Sequence, residues 1–101
     1  MKVLVVDHET FLAELVKLAL EADGNVCFTA ASVLAASEML LSIRFDLIVV
    51  DLATDEPKSL IWLEETLLGH PELQGRAFVF AGGALQPTEA DRVRACGARV
   101  M

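Results

Sequence analysis

Apolar residues in this chain follow two rhythms that alternate along its length. Short unbroken aliphatic runs, Val3-Leu4-Val5-Val6 and Leu47-Ile48-Val49-Val50, each close on an aspartate, Asp7 and Asp51. Runs of this kind read as strands covered on both faces, as in a parallel sheet packed between helices. Ala77-Phe78-Val79-Phe80-Ala81 reads as a third such strand. Between the runs, apolar positions recur at helical spacing. Phe11, Leu12, Leu15, Leu18 and Ala19 form a first stripe, and Leu34, Met39, Leu40 and Ile43 a second. Leu60, Leu63, Leu67 and Leu68 form a third, with Val93 and Cys96 on the inner face of a fourth.

Turn and cap residues punctuate these stretches. Asp23-Gly24-Asn25 stops the first helix, with Gly24 as a left-handed cap. Asn25 to Ala30 alternates Val26 and Phe28 on one face, which predicts a strand at a sheet edge or one covered unevenly. Ser32 suits the N-cap of the second helix and Pro57 the first turn of the third. Gly69-His70-Pro71 ends that helix, Gly82-Gly83 break the strand before the fourth, Pro87 opens the fourth and Gly97 closes it. Ala98 to Met101 starts a fifth strand. The order βαβαβαβαβ predicts an α/β fold.

With 101 residues the chain is expected to form one domain, residues 1–101. Its hydrophobic content of 54% is high, yet no apolar run approaches the roughly 20 residues that span a bilayer, so no membrane contact is expected. Met1-Lys2-Val3-Leu4 leads directly into a strand without a signal-peptide region. Cys27 and Cys96 lie far apart and read as small core thiols of a reduced, cytoplasmic protein. A net charge of −7 argues against nucleic-acid binding by this domain, because phosphate contacts need a basic surface.

In a parallel α/β sheet the binding crevice lies beyond the carboxyl ends of the strands. If the first and third strands are neighbours, Asp7 and Asp51 meet there, beside His8 and Glu9. Two carboxylates at that distance repel, and the pair suits a cation or chemistry. Gly82 and Gly83 allow a turn whose N–H groups face an anion. An anion loop beside an aspartate points to a phosphorylated carboxylate.

Three stretches, Val3 to Glu9, Phe45 to Asp51 and Ala95-Cys96-Gly97-Ala98, occur in an order and at separations that resemble the receiver domains of two-component signalling. The resemblance runs from Lys2 to Met101. It implies the flavodoxin-like, doubly wound parallel sheet of five strands in the order 2-1-3-4-5, here ending before the final helix. It further implies that a histidine kinase or phosphotransfer protein phosphorylates Asp51, and that the phosphoryl group switches binding to an output domain or partner protein. Mg²⁺ would be held by Asp7, Asp51 and the backbone carbonyl of Ala53.

Four departures from the family pattern stand out. His8 occupies one position of the acid pair, and Mg²⁺ prefers oxygen, so weakened Mg²⁺ binding is expected. Ala81 takes the place of the switch Ser or Thr. The loop after Asp51 reads Leu52-Ala53-Thr54-Asp55, where Met-Pro usually fills the last two positions. The chain also closes about two residues before the usual Lys, an ending that predicts an uncovered apolar face, self-association or exchange, or poor order near Met101.

These departures leave a second reading, a pseudo-receiver that binds partners without phosphorylation. His8 has three candidate roles: transition-metal ligand, cationic partner of the carboxylates, or solvent-facing residue. Glu9 is expected to be an exposed first-turn residue, His70 a loop residue, Trp62 a packing residue, and Glu64 with Glu65 a solvated face. An enzyme is not expected. Haloacid-dehalogenase-like phosphatases carry a second Asp two residues after the nucleophile, and position 53 is Ala.

Overall fold

The computed structural model describes residues 1–81 and 85–101. Its strands are β1 (Lys2–Val6), β2 (Val26–Ala30), β3 (Leu47–Asp51), β4 (Ala77–Phe80) and β5 (Arg99–Val100). They alternate with α1 (Thr10–Ala22), α2 (Val33–Ser42), α3 (Lys58–Gly69) and α4 (Pro87–Ala95), and a 3₁₀ turn, Pro71–Leu73, precedes β4. All strand pairs are parallel, in the order β2-β1-β3-β4-β5. β2 does lie at the edge that its alternation implied.

Strand side chains point alternately to the two faces. Leu4, Val6, Ile48, Val50 and Val79 join Ala36, Leu60, Leu63, Leu67 and Val93 in the larger core cluster, against α2, α3 and α4. Val3, Val5, Cys27 and Val49 pack with Ala13 of α1 on the opposite face. Both faces of the central strands are therefore apolar, which explains the unbroken runs in β1 and β3. The Cys27 thiol is buried, and Cys96 is half-buried.

The helix faces differ from the sequence reading in a consistent way. In α1 it is Ala13, Val16 and Leu20 that meet the sheet, while Phe11 and Leu18 are 78% and 61% exposed. The small Ala13 lets the helix approach the strands closely, and this turns the bulkier stripe outward. Leu34 and Leu68 likewise point to solvent, leaving Leu60, Leu63 and Leu67 as the buried stripe of α3. Pro57 sits at the N-cap of α3, one residue before the expected first turn. The Trp62 indole N–H donates to Ser37 Oγ at 2.7 Å, tying α3 to α2. Glu64, expected on a solvated face, accepts from Arg92 Nε of α4 at 3.1 Å.

Caps hold the strand–helix junctions. Ser32 Oγ accepts from Ala35 N–H at 3.0 Å, as an N-cap should. Gly24 and Gly97 have φ of 88° and 93°, the left-handed region that glycine enters freely. The Gly97 carbonyl accepts from Gly75 N–H at 2.8 Å. A Cβ at Gly97 would overlap the Gln74 carboxamide, whereas one at Gly24 would meet nothing. That carboxamide donates to the Leu67 carbonyl.

Gly24→Ala is therefore expected to cost about 1–2 kcal/mol of backbone strain in urea unfolding. Gly97→Ala should cost about 1 kcal/mol more, because Gln74 must swing away and lose its hydrogen bond. In a Gln74→Ala background that excess should vanish, a coupling that a double-mutant cycle reads directly.

Candidate functional site

The pairing Val5↔Val49 and Val6↔Val50 sets β1 and β3 in matched register. One residue further, the same register brings Asp7 and Asp51 together at the carboxyl edge of the sheet. Both are buried, at 1% and 3% exposure. Each carboxylate is fixed by the same local device. Glu9 N–H donates to Asp7 Oδ1 at 2.9 Å, and Ala53 N–H donates to Asp51 Oδ1 at 2.9 Å. In both cases the amide two residues ahead folds back over the side chain. Asp7 Oδ2 remains buried without a hydrogen-bond partner.

His8 forms the third wall. Its Nδ1 stands 3.8 Å from Asp7 Oδ1 and 4.0 Å from Asp51 Oδ2. Thr54 positions it: the Thr54 hydroxyl oxygen accepts from the His8 backbone N–H at 3.0 Å and lies 3.3 Å from Nδ1. Thr54 is fully buried, and the sequence reading gave it no role beyond an unusual loop residue. A buried hydroxyl beside a histidine was a legible signal only once the β1 and β3 loops were known to touch. Next to it, Asp55 has a φ of 52° and its carboxylate accepts from Val33 N–H at 3.0 Å, adding a second cap to α2. Ser59 Oγ donates to the Leu52 carbonyl, closing the loop onto α3.

Burial raises the Asp7 carboxyl above its ordinary value of 3.8. The Glu9 amide opposes this shift, and the nearby Asp51 charge adds to it.

The remaining expected site residues fall as follows. Ala81 follows β4 directly, half-buried, next to the strand in which Phe80 pairs with Asp51. It presents no hydroxyl to the site. Gly82 and Gly83 lie outside the described residues. Glu9 is exposed, as expected, though its amide serves Asp7. His70 caps the end of α3 and faces Glu72 at 3.6 Å, away from the carboxylates.

Asp7, His8 and Asp51 each offer a ligand atom within 4.8 Å of the others, close enough together to hold a divalent cation. The two carboxylates, one with an orphaned buried oxygen, suit Mg²⁺; the imidazole does not, because Mg²⁺ takes oxygen donors. Among the described residues no helix is long and apolar enough to cross a membrane.

No protein-family model matches the sequence, and no curated protein matches it. Solved structures do. The CheY-like response regulator receiver domain protein of Methanospirillum hungatei JF-1 superposes with a TM-score of 0.85 at 21% identity, over 99% of this chain and 79% of that one. The non-phosphorylated HemR receiver domain of Leptospira biflexa gives 0.85 at 23% identity, over 99% and 79%. The response regulator TrrA of Thermotoga maritima, in complex with Mg²⁺ and beryllium fluoride, gives 0.82 at 21% identity, over 99% and 84%.

A raised Asp7 has a consequence for stability. The folded protein holds a proton that the unfolded chain has already released, so unfolding free energy falls as pH rises from about 3.8 through the higher folded value. Asp7→Asn keeps an oxygen for the Glu9 amide and offers N–H donors to Asp51. In chelator-treated protein it should raise Tm by several degrees at pH 7 and by much less at pH 3.5.

Strand order, matched register and superposition over nearly the whole chain give this protein the receiver-domain fold.

Proposed function

We propose that this domain is a phosphoryl-accepting receiver, with Asp51 as the acceptor. The observation that carries the reading is the paired setting of Asp51 and Asp7 at the strand ends. One Asp51 oxygen is pinned by the Ala53 amide, and the other, Oδ2, faces His8. A carboxylate so held is a nucleophile of fixed direction.

In the reaction, a carboxylate oxygen of Asp51 attacks the phosphorus of a phosphohistidine on a histidine kinase or phosphotransfer protein. The P–N bond breaks, its electron pair returns to the imidazole nitrogen, and an acyl phosphate forms on Asp51. A divalent cation held by Asp7 and Asp51 would offset charge on the transferring phosphoryl group. Asp7 fixes the position of that charge, and Thr54 holds His8 at the rim. The oxygen set suits Mg²⁺ in kind, and His8 weakens it. The product changes the charge at the strand edge and thereby the binding of an output domain or partner protein. We place the domain in signalling rather than among enzymes that turn over free substrates, since Ala53 stands where a phosphatase of this type carries its general acid.

Ala81 favours a second reading. Without a hydroxyl at the end of β4, phosphorylation has one fewer contact through which to move the fold, as expected of a pseudo-receiver that binds partners in a single state.

Treatment with acetyl phosphate and either Mg²⁺ or Mn²⁺ should add one phosphoryl group to the intact mass, and Asp51→Asn should abolish it. Amide NMR shifts with beryllium fluoride should centre on residues 51–55 and His8. Absence of both responses selects the pseudo-receiver.

A further inference from the structure

The Asp7 side chain is fully buried, yet its Oδ2 has no hydrogen-bond partner. A buried carboxylate oxygen left bare beside a second carboxylate is costly unless a proton or a cation meets it. What surrounds it decides which cation. Its own Oδ1 is taken by the Glu9 amide, and Asp51 Oδ1 by the Ala53 amide. The third donor is the imidazole of His8, with Nδ1 3.8 Å from Asp7 Oδ1 and 4.0 Å from Asp51 Oδ2.

Metal–nitrogen and metal–oxygen bonds of zinc-like ions are about 2.0–2.2 Å, so ligand atoms around one ion stand roughly 3.4 Å apart when tetrahedral. The two His8 separations exceed this by about half an ångström, and all three ligand atoms lie within 4.8 Å of one another, so side-chain rotations must draw them together around an ion. The His8 side chain is 45% exposed, so the site is open to water or a phosphoryl oxygen on that side. Thr54 fixes the loop that carries the ring, through the His8 backbone N–H. The Thr54 hydroxyl oxygen lies 3.3 Å from Nδ1, a contact that a bound ion would replace.

We propose that Asp7, His8 and Asp51 form a mixed oxygen–nitrogen centre that selects a borderline first-row divalent ion, of the Zn²⁺ or Co²⁺ class, over Mg²⁺. The inference rests on the reading of Asp7 and Asp51 as metal carboxylates and names the ion that this chain's own departure selects. Mg²⁺ demands oxygen in near-octahedral array and gains little from imidazole, whereas Zn²⁺, Co²⁺ and Ni²⁺ bind imidazole well. Replacing an acid by His8 therefore lowers affinity for one class and preserves it for the other.

Calorimetric titration of the full chain with Co²⁺, Zn²⁺ and Mg²⁺ chlorides in phosphate-free buffer tests this. One equivalent of Co²⁺ or Zn²⁺ is expected to bind, with the His8 ring nitrogen resonances shifting on Zn²⁺ addition. Because carboxylates alone already favour Co²⁺, the deciding quantity is the ratio of Co²⁺ to Mg²⁺ affinity. His8→Asp should lower that ratio at least tenfold, and Asp7→Asn should remove binding of both ions. His70→Ala, which alters the other histidine, should leave the ratio unchanged.

An unchanged ratio in His8→Asp, or a Zn²⁺-loaded protein whose His8 ring resonances do not move, overturns the proposal. Should His8→Asp fail to fold, the wild-type ring resonances decide. Failure of the phosphoacceptor reading looks different: the Co²⁺ preference and the His8 shifts persist while Asp51 takes no phosphoryl group.

Discussion

The site depends on one piece of register. Because Val5 pairs with Val49 and Val6 with Val50, the two strand ends finish level, and two carboxylates that are 44 residues apart in sequence meet in a buried corner. Two unit charges about 4 Å apart repel by roughly 4 kcal/mol at an effective dielectric near 20. Two features oppose that repulsion. The aliphatic residues Val3 to Val6 and Ile48 to Val50 are almost wholly buried, so a slip in register would draw a charged strand end into the apolar interior. The Glu9 and Ala53 amides each donate to one carboxylate oxygen, replacing part of the hydration lost on burial. The core fixes the geometry, and the amides make it tolerable.

The loop from Leu52 to Pro57 converts this corner into a connected unit. Thr54 reaches across to the backbone of His8, and Asp55 reaches to Val33 at the start of α2. Ser59 binds the Leu52 carbonyl from the first turn of α3. A change at Asp51 is therefore within four residues of contacts to the β1 loop, to α2 and to α3. Local hydrogen bonds of this kind give the loop a definite shape without regular secondary structure.

The strands and their aspartates were legible because burial on both faces leaves an unambiguous aliphatic signature that stops where the sheet stops. Ser32, Gly24 and Gly97 were legible too, since capping and left-handed turns are local demands met by few residue types. Helix orientation was not. In α1 two apolar stripes compete, and periodicity cannot tell the Phe11–Leu15–Leu18 line from the Ala13–Val16–Leu20 line. Close approach to the sheet chose the one with the small residue. Leu68 was misplaced for the same reason, as a hydrophobe at helical spacing that faces solvent. Thr54 was invisible as a site residue because its partner, His8, is 46 positions away and nothing in either loop encodes the contact. The Arg92–Glu64 pair between α4 and α3 is non-local in the same sense.

His8 changes the arithmetic of the corner as well as its chemistry. An acid in its place would put a third negative charge next to Asp7 and Asp51, raising both the repulsion in the metal-free protein and the attraction for any cation. The imidazole takes part of that repulsion away, so the cluster of two carboxylates is easier to keep folded without metal. The attraction lost is that of a charged oxygen ligand, and Mg²⁺, which takes oxygen donors, has nothing to replace it. The attraction gained is coordinative and reaches only ions that accept nitrogen. On the proposed reading, a histidine at position 8 lowers the repulsion within the corner and favours ions that accept nitrogen, and both effects follow from exchanging a charged oxygen ligand for a neutral nitrogen one.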